Sequence, residues 1–160
     1  MARAFIAIGS NLQQPQLQVA QAFEGISRLP STQLINRSSL YRTAPVSYED
    51  QPDFINAVAE VETELPPLEL LQALLSLENA QGRERPFPNA PRVLDLDLLL
   101  YNDTIMHTAE LTLPHPRMHT RGFVLQPLAE IAADLLIPQH GNVAMLVRQC
   151  KDQGVEKLAD

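Results

Sequence analysis

Residues 93–101 read Val-Leu-Asp-Leu-Asp-Leu-Leu-Leu-Tyr, and this alternation constrains the fold more than any other stretch of the chain. Side chains alternate along a strand, so Leu94, Leu96 and Leu98 share one face while Asp95 and Asp97 share the other. At about 3.3 Å rise per residue the two carboxylates stand roughly 6 to 7 Å apart. One face is committed to a core and the other to polar chemistry.

The rest of the chain supplies partners for that strand. Residues 3–8 form a short apolar run closed by Gly9-Ser10-Asn11, read as a buried strand stopped by a turn. Leu17, Ala20, Phe23, Ile26 and Leu29 then recur at near-helical spacing until Pro30 ends the pattern. Residues 34–41 and 54–63 are rich in β-branched and alternating side chains, with a loop between them. In the second of these, Ile55, Ala57, Ala59 and Val61 face one way, and Phe54 and Asn56 face the other. Pro66-Pro67 opens a helix carrying Leu68, Leu71, Leu74, Leu75 and Glu78, which ends near Gly82. Pro86, Pro88 and Pro91 make residues 83–91 a loop.

The order β-α-β-β-α-β predicts an α+β fold, a ferredoxin-like antiparallel sheet with helices packed on one face. Additional C-terminal helices are expected over residues 123–132 and 143–151, at the edges or over part of the other face. With 160 residues, 45% of them hydrophobic, the chain fits one domain, 1–160. Aromatic residues make up only 5% and Trp is absent, so aliphatic side chains fill the core and an aromatic at a site is informative.

Charge and cysteine content narrow the function classes. A formal charge of -7 argues against a general nucleic-acid binder, which needs a basic surface to displace counterions. Cys150 is the only cysteine, so no intrachain disulfide forms, which suits a reducing compartment. No stretch reaches the length of a membrane span, and a cytoplasmic protein without a membrane partner is expected. Lys151 and Lys157 are the only lysines, and Arg83, Arg85, Arg92, Arg117 and Arg121 fall in one part of the sequence.

That clustering bears on Asp95 and Asp97. Two carboxylates projected together repel unless a cation or proton intervenes, and hard oxygen ligands suit Mg2+. An isolated Asp-x-Asp more often decorates a solvated sheet face. Arg92 sits immediately before the strand, however, and guanidinium groups bind phosphate oxygens bidentately, so the combination reads as phosphate transfer. No Gly-x-x-x-x-Gly-Lys-Ser/Thr loop is present, so nucleotide binding rests on metal and arginine. His115 and His119 have zinc-pair spacing, but Pro114 and Pro116 flank His115 and disfavour helix there. His115 is read instead as a donor to a phosphate or leaving-group oxygen. Asn56 carries a donor and an acceptor that suit the edge of a heterocycle, with Phe54 and Phe123 placed to sandwich its rings.

The stretch Ala90-Pro91-Arg92-Val93-Leu94-Asp95-Leu96-Asp97-Leu98-Leu99 resembles the signature of the 6-hydroxymethyl-7,8-dihydropterin pyrophosphokinase family. Ala7-Ile8-Gly9-Ser10-Asn11-Leu12, Ser39-Leu40-Tyr41-Arg42-Thr43, Gln51-Pro52-Asp53-Phe54-Ile55-Asn56 and Leu113-Pro114-His115-Pro116-Arg117-Met118 with Arg121-Gly122-Phe123 resemble it in order, across nearly the whole chain. The resemblance implies a transferase of folate biosynthesis that moves the β,γ-pyrophosphoryl group of ATP to the hydroxymethyl group of 6-hydroxymethyl-7,8-dihydropterin, releasing AMP. It implies two Mg2+ ions held by Asp95 and Asp97 with ATP, and Arg83, Arg92 and Asp97 as catalytic residues. Arg83, Arg92, His115 and Arg121 would contact the triphosphate, and Glu78, Leu98, Leu111 and Thr112 would line the nucleotide site. Thr43, Val46, Phe54, Asn56 and Phe123 would form the pterin site. The chain departs from the family at Pro88-Asn89, where a basic residue and Trp often stand. A monomer is expected.

Two other classes stay open at this level. A metal-dependent phosphohydrolase or nuclease would use Asp95 and Asp97 with water as nucleophile. A non-enzymatic ferredoxin-like module would bind a small ligand and leave the arginines without a task.

Overall fold

The computed structural model describes residues 1–11, 14–44, 53–81, 94–150 and 153–158. Its first half follows β1 (Ala2–Ser10), α1 (Pro15–Ser27), β2 (Thr32–Arg37), β3 (Tyr41–Thr43), β4 (Phe54–Thr63), α2 (Pro67–Gln81) and β5 (Asp95–Tyr101). The expected strand over 34–41 is thus two strands, which pair with different stretches of β4: β2 with its C-terminal half and β3 with Phe54, Ile55 and Asn56. Six strands form one sheet in which β1 lies between β4 and β5, all these pairings antiparallel. This is the ferredoxin-like order.

Gly9 and Ser10 do not turn. They continue β1, pairing with Asn56 and Ile55 on β4, and Gly9 also faces Asp95 on β5. The β4 alternation places Ile55, Ala57, Ala59 and Val61 in one core with Ile6, Ile8, Leu94, Leu96 and Leu98. Helices α1 and α2 cover that face. Their buried stripes differ from those expected: α1 inserts Val19, Ala22, Phe23 and Ile26 while Leu17 is exposed, and α2 inserts Leu70, Leu74 and Glu78 while Leu68 and Leu75 are exposed.

The opposite face has a cover of its own. After the short pairs β6 (Met106–His107) with β7 (Thr112–Leu113), a 3-10 turn at Met118–Thr120 leads into α3 (Gly122–Ala132). Next come β8 (Leu136–Ile137), β9 (Gly141–Asn142), α4 (Val143–Arg148) and β10 (Glu156–Lys157), so the last helix ends before the expected residue 151, which lies outside the described residues. Val124, Leu125 and Leu128 of α3 pack on Phe5, Val58, Leu99 and Leu100 in a second core. Burying each such side chain contributes roughly 1.5 to 3 kcal/mol.

One irregularity in β5 adds a leucine to this second core. Phe5 pairs with Leu100 but Ile6 pairs with Leu98, leaving Leu99 as an extra residue in a β-bulge. The bulge inverts the alternation, so Leu99 and Leu100 both enter the second core while Leu96 and Leu98 stay in the first. The Leu99 carbonyl accepts the backbone N–H of His115 at 2.9 Å.

Candidate active site

Between the sheet and the start of α3 lies a cavity of about 790 Å³. Its lining comes from both layers: Gly9, Thr43, Phe54, Asn56, Asp95 and Asp97 from the sheet, and Arg117, Thr120, Arg121 and Phe123 from the turn and α3. Four of the residues expected at a pterin site therefore meet in one space, while the fifth, Val46, lies outside the described residues. Asn56 is buried, and its Nδ2 donates to Thr43 Oγ1 at 2.8 Å, which fixes the plane of the amide. A Cβ on Gly9 would stand 3.1 Å from Asn56 Oδ1, so glycine preserves the space beside that edge. The Arg121 guanidinium lies 5.4 Å from the Phe123 ring centre, a cation–π contact that ties two wall residues together.

A second cavity of about 290 Å³ is lined by Glu78, Leu96, Asp97, Leu98, Thr108, Leu111, Thr112 and His115. Glu78, Leu98, Leu111, Thr112 and His115 were all expected at a nucleotide site. Arg121 is not among them and lines the larger cavity, because the 3-10 turn carries it to the α3 side of the sheet. Asp97 lines both cavities. Arg83, Arg85 and Arg92, with Pro88-Asn89, lie outside the described residues.

Glu78 does more than line a wall. Its buried carboxylate accepts the backbone N–H of Leu96 at 2.6 Å, the peptide between the two aspartates. The bond fixes β5 from α2, so Asp95 and Asp97 project from a pinned backbone. Asp95 is exposed and Asp97 partly buried.

His115 has its protonation state set by position. Burial drives its pKa down to about 4, with the charges of Arg121 and Arg117 adding to the drop and Asp95 opposing it. Its Nδ1 accepts the N–H of Arg117 at 3.2 Å, so the neutral ring carries its proton on Nε2. Near neutral pH the ring is a neutral hydrogen-bond donor and no cation.

The two carboxylates fit Mg2+. That ion commonly takes one or two protein carboxylates and completes its shell with water and substrate phosphates. Among the described residues no group of three or more His, Cys, Asp or Glu side chains gathers as a metal cage.

Residues 5–133 match the family model of 7,8-dihydro-6-hydroxymethylpterin-pyrophosphokinase. The 2-amino-4-hydroxy-6-hydroxymethyldihydropteridine pyrophosphokinase of Haemophilus influenzae is 48% identical over 158 residues, covering 99% of both chains. The enzyme of the same name from Pseudomonas aeruginosa is 42% identical over 156 residues, 98% of this chain and 96% of that one. The crystal structure of wild-type Plasmodium falciparum HPPK-DHPS with pterin and p-hydroxybenzoate shares the fold with a TM-score of 0.75 at 14% identity. The alignment covers 98% of this chain and 46% of that longer one.

Proposed function

The chain belongs to the 7,8-dihydro-6-hydroxymethylpterin-pyrophosphokinase family, and from that premise we propose how its residues share the transfer of pyrophosphate from ATP to the pterin alcohol. The observation that carries the proposal is Asp97 on the boundary of two cavities, one lined by the residues expected to meet nucleotide and the other by those expected to meet pterin.

In this reading the pterin lies in the larger cavity between Phe54 and Phe123, its amide edge against Asn56. Backbone groups near Thr43 and Val46 complete the site. ATP lies against Glu78, Leu98, Leu111 and Thr112, with its phosphates directed toward Asp95 and Asp97. Asp95 and Asp97 would hold two Mg2+ ions, which would supply positive charge against the phosphates. Asp97 orients the attacking hydroxyl and receives its proton as the oxygen bonds to the β-phosphorus and the bond to the α-phosphate oxygen breaks, releasing AMP. His115 donates from Nε2 to a phosphate oxygen, while Arg83, Arg92 and Arg121 stabilise the charge that develops on phosphate oxygens. The arginines explain why the reading favours phosphoryl chemistry over a passive ligand-binding module.

The proposal includes a monomer in the cytoplasm. The lone buried thiol of Cys150 is compatible with that compartment. No helix among the described residues is long and apolar enough to cross a membrane.

The test is product identity. Purified chain with Mg2+, ATP and 6-hydroxymethyl-7,8-dihydropterin is expected to release AMP and form the pyrophosphorylated pterin. ADP or inorganic phosphate as the sole nucleotide-derived product would overturn the reading and favour a phosphohydrolase.

A further inference from the structure

We infer that Gln153, far along the chain from the residues of the signature, is a positioning residue of this reaction that sets the angle at which Arg121 and Phe123 meet the substrate; the inference rests on the proposed reaction. The Gln153 side-chain amide brackets Arg121. Its Oε1 accepts the N–H of Gly122 at 2.8 Å, and its Nε2 donates to the carbonyl of Thr120 at 2.9 Å.

Arg121 is the joint between the 3-10 turn and α3, with extended dihedrals of φ -104 and ψ 110. In extended backbone, the carbonyl before a residue and the N–H after it point to the same side. One primary amide presents a donor and an acceptor in the matching order and so stands in for a strand neighbour. The Gly122 N–H is also one of the groups that a helix start leaves without an intrahelical partner.

The fit is close at Gly122, although Gln153 itself is exposed. A Cβ on Gly122 would lie 3.2 Å from the Gln153 Oε1 and 3.2 Å from the Cys150 carbonyl oxygen. That same carbonyl accepts the Gln153 backbone N–H at 3.2 Å, so the turn holding the amide is itself anchored. Thr120, Arg121, Phe123 and Gln153 all line the larger cavity. A swing about Arg121 would therefore move a guanidinium and an aromatic ring together, since the two are in contact.

The alternative is that Gln153 merely fastens the C-terminal segment, which would lower stability or the active fraction without changing how tightly pterin is engaged. Full-length Gln153→Met keeps the reach of the side chain and removes both bonds, whereas Gln153→Glu keeps the acceptor toward Gly122. The KM for pterin is expected to rise about ten- to thirtyfold in Gln153→Met, the scale of two ordinary hydrogen bonds, with Gln153→Glu recovering part of the loss. Hydrogen exchange at the Gly122 amide, read by NMR, should quicken by about tenfold or more in the methionine variant. An unchanged pterin KM in Gln153→Met, whatever happens to kcat, overturns the role, as does failure of that variant to fold. Wild-type protein that releases no AMP would overturn the proposed reaction itself, whereas active wild type with an unaffected Gln153→Met overturns only the part given to Gln153.

Discussion

Glu130→Ala probes how α3, one wall of the larger cavity, is fastened to the sheet. The Glu130 carboxylate accepts from the Ser39 N–H at 2.9 Å, the Ser39 hydroxyl at 2.8 Å and the Tyr41 hydroxyl at 2.7 Å, with the Lys157 ammonium at 3.7 Å. The Glu130 side chain is 26% exposed and Lys157 57% exposed, so the ion pair adds little and the three hydrogen bonds dominate. At about 1 kcal/mol net for each bond, and allowing for water that replaces part of the loss, alanine should cost about 2 to 3 kcal/mol in urea unfolding. For a domain of this size that corresponds to a fall of roughly 5 to 10 °C in Tm. Tyr41→Phe alone should cost about 1 kcal/mol, and almost nothing in the Glu130→Ala background, because the two share one bond.

The same cluster predicts a pH signature. Burial pushes the Glu130 carboxyl up, but hydrogen bonds from Tyr41 and Ser39 and the Lys157 charge outweigh it and hold the pKa below the ordinary 4.5. A depressed folded pKa gives stability that is present above the unfolded value and disappears as pH falls through the folded one. The gap between wild type and Glu130→Ala should therefore be full near neutrality and shrink below 4.5. On the alkaline side, burial and the bond to Glu130 raise the Tyr41 pKa, so its contribution persists up to about 10 and fades above it. A Glu130→Ala variant within about 0.5 kcal/mol of wild type at neutral pH, or a gap that stays flat well below the carboxylate range, would refute the reasoning.

Substitutions at three further residues address the site. Asp97→Asn keeps size and removes charge; AMP release should fall at least about 100-fold with circular dichroism unchanged, and near-normal turnover would remove Asp97 from both metal and proton roles. Asn56→Ala should weaken pterin binding by about tenfold or more in calorimetric titration while leaving ATP affinity within about twofold, and equal losses for both ligands would count against reading of the pterin edge. Glu78→Leu should raise the Mg2+ concentration for half-maximal activity by about tenfold, with Glu78→Gln largely normal because its carbonyl can still accept from Leu96; identical behaviour of the two variants would reject the idea that Glu78 pins β5.

What was legible in the sequence follows strand geometry. Pairs two residues apart, Asp95 with Asp97 and Phe54 with Asn56, declared a shared face directly, and the bounds of β4 matched residue for residue. Other features left no polar mark. Leu98, Leu99 and Leu100 are identical in type, so nothing in the sequence shows that the alternation inverts there. On α1, Leu17 and Ala20 are apolar yet exposed, so apolar type alone chose the wrong stripe. Strands β6 to β10 have two residues each and depend on the contacts around them, beyond the reach of periodicity. Thr120 and Gln153 belong to no motif, and only the return of the C-terminal segment to the start of α3 brings Gln153 to the cavity wall.

The extra residue in β5 gives that strand two reading frames. Before Leu99, residues 94, 96 and 98 answer to the packing of α1 and α2; after it, Leu100 answers to α3, and Tyr101 returns to the first core. The strand can thus give its outward positions over one stretch to two aspartates and, a few residues later, give that same side to leucine. Tolerance to polar substitution along β5 should follow odd and even positions up to the bulge and exchange parity beyond it. Deletion of Leu99 would leave a regular strand in which Leu98, Leu100 and Tyr101 keep their present faces, so what the extra residue adds is one more leucine in the second core.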